Sequence, residues 1–304
     1  MAGAIVAAAI AASGGQAPVT AANAGWPCGK LPLSATRYSH VLWIWMENHS
    51  YDEIIGSAEA PYINSLARQC GLATNYHSVS HPSLPNYIAA TSGLPPAGLR
   101  PFRSDCSPSR ACATSAPSVF AQVRSWKAYE QSMPRHCDRA DAGAYAVRHD
   151  PPPYYLTLGT CTRDDVGYGR LAPDLARGRL AAFSFLTPNL LDDMHDGTIA
   201  QGDGWVRTNL PTILNSAAYR AGTAVVIVAW DEGQGGSSGN CAANARDAGC
   251  HVAAIVVSPS TAAGTRSATL FNHYSLLAST ERLLGVPRVG QAASAASMLA
   301  AFNL

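Results

Sequence analysis

Charge is scarce in this chain. Charged residues make up 13% of it, lysine is confined to Lys30 and Lys127, and the formal net charge is +1 at pH 7. No Lys/Arg block is available to track a phosphate backbone or an anionic bilayer, which argues against nucleic-acid or membrane-surface binding through bulk electrostatics. A hydrophobic run convincing as a bilayer span is also missing, so no stable membrane anchor is expected. Nor is there a Cys-x-x-Cys pair with zinc-ligand spacing, or an internal repeat. What remains is 304 residues, 47% of them hydrophobic, long enough to bury a substantial core in one α/β domain.

Eight cysteines are present, an even number that favours an oxidising compartment and a disulfide framework. Neighbour pairing predicts Cys106–Cys112, Cys137–Cys161 and Cys241–Cys250 as staples of loop-like stretches rich in Gly, Pro and Asp, leaving Cys28–Cys70. The first 24 residues fit a signal peptide, with a small apolar run over Met1–Ala12 and a small-x-small site at Ala22-Asn23-Ala24, although no Lys or Arg precedes the run. A disordered Ala/Gly-rich tail is the alternative. Residues 25–304 read as one domain of a secreted protein, with Cys-rich insert loops over about 97–179 that face substrate.

Apolar runs alternate with helical patterns, which predicts a doubly wound α/β fold with a mostly parallel sheet between helix layers. The expected strands are His40–Met46, Leu72–Tyr76, Trp126–Gln131, Ala181–Leu186, Thr223–Trp230 and Val252–Ser258. The expected helices are Pro61–Cys70, Leu84–Ser92, Pro117–Ser125, Trp205–Ala221 and Asn272–Leu284. Pro61 suits a first helical turn, where its missing N–H costs nothing.

Two strands end abruptly in oxygen-bearing pairs, Glu47-Asn48 after Val41–Met46 and Asp231-Glu232 after Val225–Trp230. Such groups lower no free energy in an apolar core, whereas ligands of open α/β sheets bind beyond the carboxyl ends of the strands. Together the four form an all-oxygen set suited to one divalent ion, Mg²⁺, Ca²⁺ or Mn²⁺ rather than Zn²⁺. A Gly/Ser-rich loop, Gly233–Gly239, follows the second pair. Ser83 stands where a helix begins. It reads either as an N-cap or as a metal-activated nucleophile beside helix N–H groups that receive a phosphate. His81 is a phosphate contact or a polar loop residue. His195, flanked by Asp192, Asp193 and Asp196, is a general acid or a solvated turn residue. Asp203 looks like the N-cap of the helix containing Trp205, and His273 opens the last helix as a cap-region or active-site histidine.

These segments resemble the bacterial phosphoesterase family of the alkaline phosphatase-like superfamily. The resemblance rests on Glu47-Asn48-His49-Ser50-Tyr51-Asp52, Ala60–Leu66, His81-Pro82-Ser83-Leu84-Pro85-Asn86-Tyr87, Asp193-Met194-His195-Asp196-Gly197, Trp230-Asp231-Glu232 and Asn272-His273-Tyr274. The family contains secreted acid phosphatases, phosphatidylinositol-3-phosphate phosphatases and phospholipase C-like enzymes. The resemblance implies metal ligands at Glu47, Asn48, Asp231 and Glu232. Ser83 matches the nucleophilic hydroxyl that precedes a Pro-Asn pair and also faces the metal. His195 matches the proton donor or phosphate contact, and Asn189, Asp196, His81 and His273 are carried as substrate-binding candidates. No Asp-x-x-x-His second site follows Asp231, so one metal is expected. The resulting expectation is a secreted phosphatase acting on a small phosphate monoester or a phospholipid headgroup through a phosphoserine. The alternatives are a phospholipase C-type phosphodiesterase and a non-catalytic metal-binding protein.

Overall fold

The computed structural model describes residues 27–235, 241 and 247–304. The expected signal peptide lies outside the described residues, as does part of the Gly233–Gly239 loop. Among the described residues nine strands form one sheet: β1 (His40–Met46), β2 (Gly71–His77), β3 (Trp126–Glu130), β4 (Asp165–Gly167), β5 (Phe183–Thr187), β6 (Ala224–Trp230), β7 (His251–Val257), β8 (Arg266–Ser267) and β9 (Phe271–Asn272). Their order is β4-β3-β5-β1-β6-β7-β2-β8, with β9 also on β2. Only β7 runs against its neighbours, pairing antiparallel with β6 and β2.

The central strands are apolar on both faces because both are covered. Every residue of β6 and all but His40 of β1 are buried, the pattern of parallel strands between helix layers. Trp43, Trp45, Phe183 and Phe185 interlock across β1 and β5. Full burial of an apolar side chain contributes roughly 1.5–3 kcal/mol, so this layer supplies a rigid floor for whatever its strand ends carry.

The expected strands β1, β2, β3, β5, β6 and β7 are present within two residues of their expected ends, and the short β4, β8 and β9 are additions. All four expected disulfides form: Cys28–Cys70, Cys106–Cys112, Cys137–Cys161 and Cys241–Cys250. Two helix expectations need correction. The Pro117–Ser125 segment is helical only over Val119–Gln122. The helix expected at Trp205–Ala221 instead begins at Ile199, where Thr198 and Gln201 form a reciprocal capping box. It ends at Leu214, ahead of a separate turn at Ala217–Arg220.

Gly202 and Gly204 mask this early start in the sequence. Gly202 is required there, since a Cβ would stand 2.4 Å from Met194 Cγ. Asp203 therefore does not cap its own helix. Buried inside it, Asp203 accepts the N–H groups of Tyr62 (3.2 Å) and Ile63 (2.7 Å) and so caps helix Pro61–Gln69. No helix among the described residues is long and apolar enough to cross a membrane.

Candidate active site

Sheet register brings the two oxygen-bearing pairs together. Met46 of β1 lies beside Trp230 of β6, so the next residue on each strand, Glu47 and Asp231, is delivered to the same spot. The N–H of Asn48 donates to Asp231 Oδ1 at 3.3 Å, while the buried Asp231 Oδ2 has no hydrogen-bond partner. Ser83 is the first residue of helix Ser83–Ser92, not its N-cap, which is Pro82. Its hydroxyl turns to the carboxylates instead. Ser83 Oγ donates to Glu47 Oε2 at 3.1 Å and lies 3.5 Å from Glu232 Oε1.

Asn86 fixes the loop before that serine. Its Oδ1 accepts the N–H groups of Val79 and Ser80, both at 3.0 Å, and its amide reaches Ser80 O (2.9 Å), Pro82 O and Glu232 Oε2 (both 3.3 Å). His81 Nδ1 meets Glu232 Oε2 at 2.8 Å. Burial opposes the charged imidazolium, but the Glu232 bond and the charges of Glu232 and Asp247 outweigh it and hold the His81 pKa above its ordinary value. One expectation about the helix start fails. The N–H of Leu84, expected to be open to a phosphate, is taken by Asp105 Oδ1 at 2.9 Å.

The second wall comes from residues that sequence reasoning did not single out. Arg148 and His149, in the insert between β3 and β4, reach this site. His149 is 2% exposed, with Nδ1 3.1 Å from Asp193 Oδ2 and Nε2 3.3 Å from Glu47 Oε1. Its ring stacks on Tyr87, 5.4 Å between centroids and 2° between planes. Tyr87 in turn donates its hydroxyl to Glu47 Oε1. His195 Nδ1 meets Asp196 Oδ1 at 2.7 Å, its Nε2 faces Arg148 Nη2 at 3.3 Å, and its ring lies 5.4 Å from that of His149. One ligand atom each of Glu47, His149 and His195 falls within 4.8 Å of the others. His149 thus adds nitrogen to a donor set expected to be all oxygen.

Two expected substrate contacts stand apart. Asn189 spends its side chain on its own loop, accepting from the N–H groups of Leu191 and Asp192 (both 3.1 Å) and donating to Ser132 Oγ (3.0 Å). His273 is fully buried behind the site, its Nε2 on the Asp231 carbonyl at 2.6 Å and its Nδ1 on Tyr76 Oη at 2.9 Å. It braces the backbone that carries Asp231, and burial lowers its pKa to about 4, keeping it neutral.

The electrostatics are those of a cation site. Burial, then the charges of Asp231 and Asp193, push the Glu47 carboxyl well above the usual carboxylate range. Burial and Glu232 do the same to Asp231, and burial raises Asp193 to about 7. Burial, and after it Arg148, holds His149 well below its ordinary pKa, so the imidazole is neutral. Buried carboxylates crowded together, none ion-paired with a Lys or Arg among the described residues and one with an oxygen lacking a partner there, match the donor chemistry of a hard divalent ion.

A model of the Phosphoesterase family matches residues 57–287, most of the chain. The chain belongs to the Phosphoesterase family. That membership places it among hydrolases of phosphoric ester bonds. The phosphatidylinositol-3-phosphatase of Mycobacterium tuberculosis is 28% identical over 260 residues, covering 85% of this chain and 81% of that one. An acid phosphatase of Aspergillus fumigatus is 26% identical over 270 residues, covering 85% of this chain and 58% of its own, so this phosphoesterase spans about three fifths of that relative. Among solved structures, a protein in the alkaline phosphatase superfamily from Vibrio parahaemolyticus superposes with a TM-score of 0.55 at 13% identity, covering 88% of this chain and 72% of that chain. The fold is alkaline phosphatase-like.

Proposed function

We propose that this phosphoesterase is a secreted, metal-dependent phosphatase that cleaves phosphate monoesters, phosphoinositide headgroups among them, through a phosphoserine at Ser83. The observation that carries the reading is the position of Ser83 Oγ, 3.1 Å from Glu47 Oε2 and 3.5 Å from Glu232 Oε1, beside the unpartnered Asp231 Oδ2. A hydroxyl among three carboxylates serves no packing purpose. One divalent ion would be held by Glu47, Asn48, Ser83, Asp231 and Glu232, and when bound it would make the Ser83 hydroxyl more acidic and neutralise phosphoryl charge.

The chain's own residues divide the remaining work. Glu47 accepts the hydrogen of Ser83 Oγ, which directs an oxygen lone pair out of the pocket toward phosphorus. Asn86 and His81 hold the serine loop and Glu232 in place, so the attacking atom needs little reorganisation. Arg148 offers planar N–H donors suited to phosphoryl oxygens. His195, oriented through Nδ1 by Asp196, turns Nε2 to the same wall, and once phosphoryl oxygens take over the Arg148 donors this nitrogen is free to serve the leaving oxygen as general acid. Water then attacks the phosphoserine along the same line and returns Ser83. The four disulfides and the relative from M. tuberculosis support secretion and the monoester choice.

The test is release of nitrophenolate from 4-nitrophenyl phosphate by the purified enzyme, before and after chelation and metal add-back. Ser83→Ala should lower kcat by at least about 10⁴-fold, the scale expected for removing a nucleophile that works as a unit with its base, while metal still binds. Full activity in folded Ser83→Ala protein rejects the phosphoserine. Turnover of 4-nitrophenyl phosphorylcholine in place of the monoester moves the enzyme to the phosphodiesterases.

A further inference from the structure

Behind the active site lies a second group of carboxylates that the proposed reaction does not use. Glu130 closes β3, Asp165 opens β4 and Asp150 follows His149 in the insert between those strands. Their exposures are 1%, 0% and 0%. One oxygen from each lies within 4.8 Å of the others, a span matched by an ion with bonds of about 2.4 Å.

The neighbours satisfy only part of this group. Tyr145 Oη donates to Asp150 Oδ2 at 2.7 Å. Thr187 Oγ1 donates to Glu130 Oε1 at 3.1 Å and lies 3.3 Å from the His149 carbonyl. Asp150 Oδ1 and Asp165 Oδ1, both buried, accept no hydrogen bond from outside the cluster, and the two carboxyl groups face each other. No Lys or Arg among the described residues forms an ion pair with any of the three, since the nearby Lys127 is committed to Asp164 at 3.3 Å and to the Arg163 carbonyl at 2.7 Å.

Three buried carboxylates, with only the more distant charge of Lys127 acting on Asp165, cost several kcal/mol each by desolvation. Either protons or a cation must neutralise them. The convergence of oxygens from two strands and an irregular insert, with two left over, favours the cation. We propose that Glu130, Asp150 and Asp165 bind a structural Ca²⁺ separate from the catalytic ion. Calcium suits the site because it accepts irregular all-oxygen shells completed by water. The ion would pin the insert to the ends of β3 and β4, and so hold Arg148 and His149, the residues just before Asp150, against the active site. The proposal does not depend on the catalytic reading.

The test uses the full chain carrying Asp231→Asn and Glu232→Gln, which removes catalytic ligands without touching this cluster. Equilibrium dialysis at about 1 mM Ca²⁺, the upper end for extracellular sites, should find one ion per chain, and thermal unfolding should shift upward with Ca²⁺ relative to chelator. Adding Glu130→Gln, or separately Asp165→Asn, should abolish both effects. No bound Ca²⁺ in the Asp231→Asn/Glu232→Gln protein overturns the proposal, whatever the cluster variants do. So does Ca²⁺ uptake that survives Glu130→Gln and Asp165→Asn. Should Asp165→Asn stabilise the chain with no ion bound, the cluster is a proton-sharing network and the proposal again fails.

Discussion

Glu281 offers a sharp test of how burial governs this fold. It lies in helix His273–Leu284 with no exposed surface. Its Oε1 accepts the N–H of Val289 at 3.0 Å, while Oε2 has no partner. Burial lifts its pKa from 4.5 to about 7, against the lowering effects of that hydrogen bond and of Arg288. The folded state therefore holds this proton more tightly than the unfolded chain does. Below about pH 4.5 both states are protonated and the stabilisation is fully present. It is lost as pH rises from there through about 7. A shift of this size corresponds to about 3 kcal/mol at 1.36 kcal/mol per unit. Glu281→Gln keeps an acceptor for Val289 and cannot ionise. It should match the wild type at about pH 4 and exceed it by about 2–3 kcal/mol at about pH 8. Urea unfolding with the disulfides intact, run on both proteins across that range, measures the difference. A stability difference that does not change with pH, or a variant weaker at high pH, refutes the reasoning.

Two further outcomes follow from the insert. His149→Phe preserves the ring stacked on Tyr87 but deletes both nitrogens, so kcat on 4-nitrophenyl phosphate should fall by about 10²-fold or more with little change in melting temperature; unchanged kcat would remove His149 from the site. Replacing Cys137 and Cys161 by Ser opens a loop with a sequence separation of 24, which should cost about 3 kcal/mol by chain entropy and also lower activity, because Arg148 and His149 lie within that loop. Lost stability with full activity, measured by urea midpoint and kcat, would show that the loop keeps its shape without the cross-link.

What could be read from the sequence was what the sheet imposes. β1 and β6 are buried on both faces, so they appear as apolar runs, and any polar pair at their ends stands out. Ser83 was legible for a related reason, since a helix start is marked by its Pro and Ser residues. The structure excludes its N-cap reading, with Pro82 at that position and the Ser83 hydroxyl turned toward Glu47. Arg148 and His149 were not legible, because Val147-Arg148-His149-Asp150 sits in an irregular insert where no periodicity distinguishes an inward side chain from a solvated one. The available hint was Arg-His between two cysteines paired across the insert. Asp203 was legible as a cap and misplaced as to its helix, since capping across a tertiary contact leaves no spacing in the chain.

The insert answers a problem that the sheet creates. The parallel strands deliver Glu47 and Asp231 side by side at the ends of β1 and β6, with Glu232 and Asp193 close to them, and a fold selected for stability alone would not crowd carboxylates there. Local side chains relieve the crowding through hydrogen bonds more than through charge: Tyr87 on Glu47, Asn86 and His81 on Glu232, His149 on Asp193. Arg148 faces His195, and no Lys or Arg among the described residues forms an ion pair with any of the four. Pairing Glu47 or Asp231 with Lys or Arg would stabilise the folded chain, and it would also fill the place that the proposed function reserves for a cation and a phosphoryl group. The crowding at these strand ends is thus a cost in stability that protons or a bound cation would offset, and the proposed site accounts for a cost that packing alone does not.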